Sequence, residues 1–553
     1  MGLLDRLRKD RLTFSMPSFL AKHGQKEEEL PFAIDEGVSV QPYKEKYTVV
    51  EEYKLDNPFA TIRIVSSPEL GEGNHYFVVE SPLEPKEYEA YNRVVGILSK
   101  ELEPPTDEEV TPEAYVKEQT ELLFARYKNS LKNITDEGLQ KIMYYVLRNV
   151  AGYGPIHAMM RDPNIEDISL NGLNTPIFVW HRKYESIPSN VRFIDNQTAN
   201  DFIVKLAHRS GKHISSAIPV LDAMLPEKHR LAATFMKEVS AQGSTFCIRK
   251  FRADPFSVID LISMGTIDAR LAAYFWLILE YKMSFMVIGG TGAGKTSLLN
   301  ALLSLMSQND KIVTVEEVTE LNPPLPNWTQ LVSRQTFAFG SGMTTPINLF
   351  DLVRLSLRYR PEYIIVGEVR GEEAYVLFQA LATGHGGLCT MHSDSLDHCV
   401  KRLTSPPMNV SPIYIPLMNC ALHIERVELP VKQQGLTFGR RVRTVWEIED
   451  FEKYREVATW DPQTDKFHTS LSGSYLLKRI AAKTGVTIDE VLQEIQLREL
   501  YLTQIQKSGI RDQRSVAQKM LAYQTMKMQR RVGIALEDLE QLAKAPAPMT
   551  GRS

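Results

Sequence analysis

The sequence has few cysteines and no long apolar run. Its 553 residues include four cysteines, and no two of them form a C-x-x-C pair. This spacing argues against a disulfide framework and against a thiolate zinc cluster, and it favours a reducing compartment. The longest apolar runs, such as Leu271–Leu279, are shorter than the roughly 18 residues that cross a bilayer. The start of the chain shows no apolar stretch typical of a secretory signal. We therefore expect a cytoplasmic protein.

Charge of either sign is not in excess. The chain has 64 lysines and arginines against 68 acidic residues, for a formal net charge of -4. This balance gives no global basic field for wrapping a nucleic acid. A local exception is the segment 1–26, in which six basic residues accompany two aspartates. The segment has two interpretations, a docking segment for an acidic partner or an anionic membrane face, and a frayed terminus.

One motif carries the chemistry. The apolar run Phe285–Ile288 leads into Gly289-Gly-Thr-Gly-Ala-Gly-Lys-Thr296, and leucines at helical spacing follow. Strand, glycine loop and helix in this order predict a phosphate-binding loop, in which backbone N–H groups and a helix N-terminus face phosphate oxygens. Lys295 is expected to bridge the phosphates, and Thr296 to place its hydroxyl on Mg²⁺. The predicted nucleotide-binding residues are Gly289, Gly290, Thr291, Gly292, Ala293, Gly294, Lys295, Thr296 and Ser297.

Polar residues end three further apolar runs. Glu368 follows Tyr363–Val366 after one glycine, and we predict that it is the acid on the metal side, together with Thr296. Glu316 and Glu317 end the run from Lys311, and one of the two could polarise the attacking water. His392 ends the run from Gly386 and is a predicted phosphate sensor or relay, although a lone histidine is more often structural.

Taken together, these motifs resemble the secretion ATPase superfamily of type II secretion, type IV pili and the archaeal flagellum, or archaellum. Gly289–Thr296 resembles its Walker A box, Glu316-Glu317 its aspartate box, Arg360–Arg370 its atypical Walker B box and Thr383–His392 its histidine box. Upstream, Asp222–Arg230 resembles part of the family's N-terminal domain. The segment Val179–Tyr184 is most similar to the archaeal branch, which includes the archaellum motor ATPase.

The resemblance implies further site residues and partners. Family members form hexameric rings in which an arginine from the N-terminal domain or a neighbour reaches the γ-phosphate. Arg230 and Arg249 are the candidates here, followed by Arg209. The resemblance also implies ATP and Mg²⁺ as cofactors, a homohexamer, a polytopic membrane platform protein, and an accessory cytoplasmic ATP-binding partner. The protein would lie at the cytoplasmic face of the cell membrane and would bind no nucleic acid.

The expected fold class is α/β. A RecA-like P-loop ATPase domain with a parallel-rich sheet would follow a variable N-terminal region and an α+β N-terminal domain, and a small helical cap would end the chain. The predicted boundaries are 1–112 for the variable region with short strands, 113–250 for the α+β domain, 251–265 for a hinge, 266–450 for the ATPase core, 451–540 for the helical region and 541–553 for a disordered tail.

The resulting functional expectation is an ATP-driven hexameric motor that assembles or rotates an archaellum. An archaeal pilus-assembly or secretion ATPase is the nearest alternative. A RecA-like nucleic-acid translocase would use the same loop, but the charge balance and the lack of an evident basic, aromatic groove disfavour it. A nucleotide-sensing scaffold that hardly hydrolyses ATP is a third alternative.

Overall fold

The computed structural model describes residues 35–55, 57–102, 110–129, 131, 133–251, 255–334, 346–433, 436–529, 539 and 541–543. The basic segment within 1–26 lies outside these residues. So do residues 252–254 of the predicted hinge and residues 544–553 of the predicted tail. The chain divides into two compact units, Met1–Phe251 and Arg252–Ser553.

The first unit is built on a ten-stranded sheet in the order β2-β3-β4-β7-β6-β5-β10-β9-β8, with β1 paired to β7. Its inner strands alternate between buried and partly exposed residues, as in β6, which is typical of a sheet with one face on a core. The strands are β1 (Val38–Val40), β2 (Thr48–Lys54), β3 (Ala60–Ser66), β4 (His75–Glu80), β5 (Ile165–Leu170), β6 (Pro176–His181), β7 (Glu185–Phe193), β8 (Val220–Met224), β9 (Arg230–Thr234) and β10 (Thr245–Arg249).

Helices of the first unit pack on this sheet around one hydrophobic core, which includes Ile168 and Val179. Several of them begin at residues whose side chains accept hydrogen bonds from the first helical turn. Asp195, for example, accepts from the N–H of Thr198. The described helices are α1 (Pro85–Glu101), α2 (Pro112–Arg126), α3 (Asp136–Val146), α4 (His157–Arg161) and α5 (Asn196–Arg209).

The second unit is built on a nine-stranded sheet in the order β13-β12-β14-β15-β11-β16-β17-β18-β19. Neighbouring strands from β13 to β16 are parallel, and those from β16 to β19 are antiparallel. The strands are β11 (Phe285–Gly289), β12 (Ile312–Glu316), β13 (Trp328–Val332), β14 (Tyr363–Val366), β15 (Gly386–His392), β16 (Cys420–Gln433), β17 (Leu436–Asp450), β18 (Lys453–Asp461) and β19 (Lys466–Thr469).

Helices cover both faces of this second sheet, each face with its own core. This explains why β11, β12 and β14 are buried along their whole length and consist almost entirely of apolar residues. The predicted α/β class, with a parallel-rich sheet and a helical C-terminal region, is confirmed. The described helices are α6 (Val258–Ser263), α7 (Ala269–Glu280), α8 (Lys295–Leu302), α9 (Leu349–Ser356), α10 (Glu373–Ala382), α11 (Leu396–Thr404), α12 (Tyr475–Thr484), α13 (Ile488–Ser508) and α14 (Gln513–Gln529).

Two predicted segments contain elements that the sequence pattern did not indicate. Residues 451–540, predicted to be helical, begin with β18 and β19, which extend the sheet beyond Asp450. The predicted hinge 251–265 contains α6, which begins with a capping box between Ser257 and Asp260. The two misses have different causes: β18 lacks the strict alternation of apolar and polar residues that indicates a strand, and α6, with six residues, is too short to show a helical period. Within the described residues, no helix has both the length and the hydropathy that a membrane span requires.

A buried carboxylate joins the C-terminal helices to the sheet. Glu447 on β17 is fully buried and accepts hydrogen bonds from the hydroxyls of Tyr274 and Ser474. It also accepts from the backbone N–H groups of Tyr475, at 2.6 Å, and Leu476, at 3.3 Å. One side chain thereby connects α7, β17 and the N-terminus of α12, where a negative charge is favoured by the helix dipole.

Replacing Glu447 by alanine should therefore weaken the fold strongly. The change leaves the Tyr274 hydroxyl and two helix N–H groups without their acceptor, and we expect a loss of about 3 kcal/mol in the free energy of unfolding. Urea denaturation followed by far-ultraviolet circular dichroism measures it. Glu456→Ala is the matched control because Glu456 is exposed on the adjacent strand. Equal midpoints for the two variants would contradict this role for Glu447.

Candidate functional site

The glycine loop lies between a buried strand and a helix, as its sequence predicts. Gly292 and Gly294 adopt left-handed conformations, with φ of 70° and 93°. A Cβ at Gly289 would lie 2.3 Å from the carbonyl oxygen of Ile424 on β16, whereas a Cβ at Gly290 or Gly292 would meet nothing within 4 Å. The loop therefore needs glycine for its turn and for its close approach to β16, and its other side is open.

Lys295 begins α8 and turns its side chain back to the loop. The residue is buried, its Nζ donates a hydrogen bond to the carbonyl of Gly290 at 2.8 Å, and it lies 3.1 Å from Nδ1 of His392. Burial lowers the pKa of Lys295, with the nearby Glu368 acting against that shift. The ammonium is thus held at the mouth of the loop. Thr296 is half-buried and Ser297 exposed in the same helical turn.

Parallel register brings the remaining predicted residues to this edge. Gly289 is paired with His392, and Val315 with Val366, so β11, β12, β14 and β15 end together. The chain continues from these ends into Glu316 and Glu368, because parallel strands present their carboxyl ends at one edge of the sheet. Glycine loop, acids and histidine, which are spread over about 100 residues of sequence, form one site.

Glu368 is the acid in contact with both a histidine and an arginine. Its Oε2 accepts a hydrogen bond from Nη2 of Arg370 at 2.5 Å. Its Oε1 lies 3.2 Å from Nε2 of His392, but this contact lacks hydrogen-bond geometry and the buried oxygen has no other partner. Burial, together with the Lys295 ammonium, lowers the pKa of His392 and so favours its neutral form. The site therefore holds a buried carboxylate oxygen that is ready to accept a ligand.

Glu316 and Glu317 face different surroundings. Glu316 is only 2% exposed and accepts hydrogen bonds from the N–H groups of Glu320 and Leu321, each at 2.8 Å, and from Nε2 of Gln330 at 3.1 Å. Burial raises the pKa of Glu316 to about 7 in spite of these donors. The side chain of Glu317 is 43% exposed and lies 3.6 Å from Nη1 of Arg370.

The site fits a nucleotide with Mg²⁺. Groups of three or more histidine, cysteine or acidic side chains that could hold a metal are absent from the described residues. Mg²⁺ differs from most protein-bound metals in taking one or two protein oxygens and completing its shell with water and substrate phosphates. The unpartnered Oε1 of Glu368 is such an oxygen, and Thr296 in the first turn of α8 offers a second. The open side of the glycine loop leaves room for the phosphates.

The three predicted arginines belong to the first unit, and each contacts an acid there. Nη2 of Arg230 lies 2.9 Å from Asp222, and Nε of Arg249 lies 3.1 Å from Asp167. Both arginine side chains are exposed, so these ion pairs contribute little to stability and either arginine can leave its acid for another partner at little cost. Arg209 is held by several hydrogen bonds. It donates to the carbonyl of Ala151 and to Glu227.

Three arginines of the second unit were not predicted as site residues. Arg370 contacts both Glu368 and Glu317, and Nη1 of Arg402 donates to the carbonyl of His392. Nε of Arg440, on β17, donates to the carbonyl of Gly292 in the glycine loop at 3.2 Å. Arg370 follows Glu368 by two residues and could have been found from the motif. Arg440 could not, because only the pairing of β16 with β11 and with β17 carries it to the loop.

Comparisons with known proteins match most of the chain. The family model for type II/IV secretion system proteins matches residues 150–529. The uncharacterized protein MJ0900 of Methanocaldococcus jannaschii is 37% identical over 389 residues, which are 69% of this chain and 69% of that protein.

Solved structures match at lower similarity. The pilus retraction motor PilT with bound ADP is 16% identical, with a TM-score of 0.38, over 69% of this chain and 94% of that one. The VirB11 ATPase from the Brucella suis type IV secretion system, in complex with sulphate, is 22% identical, with a TM-score of 0.27, over 53% of this chain and 92% of that one. Superpositions at this level carry no argument about activity.

The raised pKa of Glu316 predicts a pH-dependent stability. A carboxyl group whose pKa rises from 4.5 in the unfolded chain to about 7 in the folded one favours folding while it is protonated. Its contribution is therefore lost as the pH rises through that interval. Between pH 5 and pH 8 the wild type should lose about 2 kcal/mol more unfolding free energy than Glu316→Gln. Urea denaturation at both pH values measures the difference. Equal losses of unfolding free energy in the wild type and in Glu316→Gln would refute the assignment of this pH dependence to Glu316.

Proposed function

This chain belongs to the type II/IV secretion system protein family, and from this membership we propose that it is a motor that hydrolyses ATP. The observation that carries the proposal is the meeting of a lysine, a glycine loop and acidic side chains at one sheet edge. The Lys295 ammonium, the unpartnered oxygen of Glu368 and the accessible carboxylate of Glu317 all lie there.

Residues 289–297 would bind the phosphates. Backbone N–H groups of the loop and the N-terminus of α8 offer partial positive charge, and Lys295 adds a full charge. Thr296 and Glu368 would hold Mg²⁺, which neutralises phosphate charge when it is bound. Arg440, by donating to the carbonyl of Gly292, would hold the loop in its open shape. These residues select a triphosphate tail and position it.

The remaining side chains would divide the chemistry between them. We assign the water-activating role to Glu317 rather than Glu316, because Glu316 accepts three hydrogen bonds that fix the following loop. Neutral His392 can donate a hydrogen bond to a phosphate oxygen. Because His392 also contacts Lys295 and Glu368, phosphate binding would change the contacts of these two residues. Arg230 or Arg249 would supply a guanidinium in trans, which stabilises the charge that spreads over the phosphoryl oxygens during cleavage.

The work would be done by a homohexameric ring at the cytoplasmic face of the cell membrane. Nucleotide binding would form contacts between neighbouring subunits, and hydrolysis would release them. A closed ring would couple these changes into one coordinated movement. Support for an archaellum motor comes from the motifs that resemble the archaeal branch, Val179–Tyr184 among them. On this proposal the ring drives a polytopic platform protein, with an accessory ATP-binding partner, and binds no nucleic acid.

Two substitutions test the ATPase. Lys295→Ala should abolish both tight ATP binding and turnover. Glu368→Gln should bind ATP while turnover falls by about 100-fold, since the amide cannot replace a carboxylate beside the metal. Phosphate release and fluorescent-nucleotide binding measure the two effects. Glu372→Gln is the control because Glu372 is exposed four residues further on. Wild-type turnover in Glu368→Gln would show that this acid is wrongly assigned.

Co-purification tests the cellular role. The tagged protein, isolated from membranes of its native host, should bring down the polytopic membrane protein encoded beside it, and ATP binding should change the yield, because the platform contacts one state of the ring. Lys295→Ala is the control for that nucleotide dependence. Loss of swimming with intact adhesion pili in a deletion strain supports the archaellum role. Loss of pili or of secretion, with swimming unchanged, would instead select the alternative family roles.

A further inference from the structure

We propose that a cavity lined by basic residues beside the catalytic edge binds inorganic phosphate, as the site through which this product leaves. The cavity has a volume of about 210 Å³, opens to solvent, and is lined by Arg370, Lys401, Arg402 and Ser405 together with residues 406–408. The assignment of phosphate as the ligand rests on the proposed ATPase activity. The affinity of the cavity for an anion does not.

The cavity shares residues with the site described above. Arg370 lines the cavity and also contacts Glu368 at 2.5 Å and Glu317 at 3.6 Å. Arg402 lines it and donates to the carbonyl of His392. One guanidinium thus belongs to both places, so the cavity begins where the polar edge of the sheet ends.

Two of the three cations that line the cavity, Lys401 and Arg402, are not balanced by acids of the described chain. Within the part of the chain that the structure describes, no carboxylate lies within salt-bridge distance of Lys401 or Arg402, and only Arg370 has acidic partners. Inorganic phosphate carries one to two negative charges near neutral pH and offers several strong acceptor oxygens. Arginine and lysine are the side chains that bind such groups most favourably.

The size of the cavity favours a small ion. One water requires about 10 to 15 Å³ of such volume, so the cavity has room for several waters or for one phosphate ion with part of its hydration shell. Ser405 also lines the cavity. Its Oγ donates to the carbonyl of Lys401 at 2.6 Å, so its oxygen can accept a hydrogen bond from a protonated phosphate oxygen.

A structural explanation for two of the cations competes with this proposal. Lys401 and Arg402 lie in the last turn of α11, where positive charge stabilises the helix dipole. That role predicts a small loss of stability when Lys401 is replaced, and it predicts no effect on phosphate. The two explanations therefore differ in one measurable quantity, the affinity for inorganic phosphate.

Binding of inorganic phosphate to the full-length protein saturated with ADP and Mg²⁺ tests the proposal. Isothermal titration with sodium phosphate at constant ionic strength should give one site per chain. Lys401→Gln should weaken it about tenfold because a charge-assisted contact is lost. Lys483→Gln is the matched control, since Lys483 is an exposed lysine in the last turn of α12. The control should bind phosphate as the wild type does.

Product inhibition provides the second measurement. Phosphate should inhibit ATP turnover less strongly in Lys401→Gln than in the wild type, measured for each protein as the ratio of its turnover with and without added phosphate. Equal affinities in wild type and Lys401→Gln would overturn the proposal, as would equal weakening by Lys483→Gln. A Lys401→Gln protein that binds phosphate normally but assembles differently would show that the cavity receives a neighbouring chain. If the wild type binds phosphate but never hydrolyses ATP, the proposed function fails while the anion site stands.

Discussion

The parallel register of β12, β14, β15 and β11 is the constraint on which the site depends. Because paired positions such as Gly289 and His392 lie side by side, residues that follow each strand are forced to one edge. Burial on both faces fixes the register, since a slip of one residue would move each side chain from its own core into the opposite one, where the packing does not match it. The positions of the polar residues at this edge are therefore fixed by the packing of the strands that precede them.

Charge at this edge is balanced through one arginine. Lys295 and Arg370 face Glu368 and Glu317, while His392 stays neutral because burial and the adjacent ammonium both disfavour its charged form. Hydrogen bonding to Glu368 raises the pKa of Arg370 and secures its charge. A cation that entered beside Glu368 would meet Arg370 there, so the acid and the arginine have to separate for both to serve. An anion bound in the cavity next to Arg370 would be the alternative partner for that guanidinium.

Much of this site could be predicted from the sequence, and the rest could not, for identifiable reasons. The glycine loop is local, and Glu368 and His392 each end an apolar run, so the strand pattern alone indicates their place. The difference between Glu316 and Glu317 depends on which way each side chain leaves the end of a strand, and neighbouring residues leave in opposite directions. Arg440 reaches Gly292 only through the register of β16 against two other strands.

The strand β17 connects the loop to the C-terminal helices. Its residue Arg440 contacts the glycine loop, and its residue Glu447 binds the N-terminus of α12 and the hydroxyl of Tyr274 on α7. Between these two residues β17 stays paired with β16, from Arg440 opposite Arg426 to Glu447 opposite Cys420, while β18 joins its other side only from Thr444. One strand of the antiparallel part of the sheet therefore contacts the glycine loop near one end and the C-terminal helices near the other.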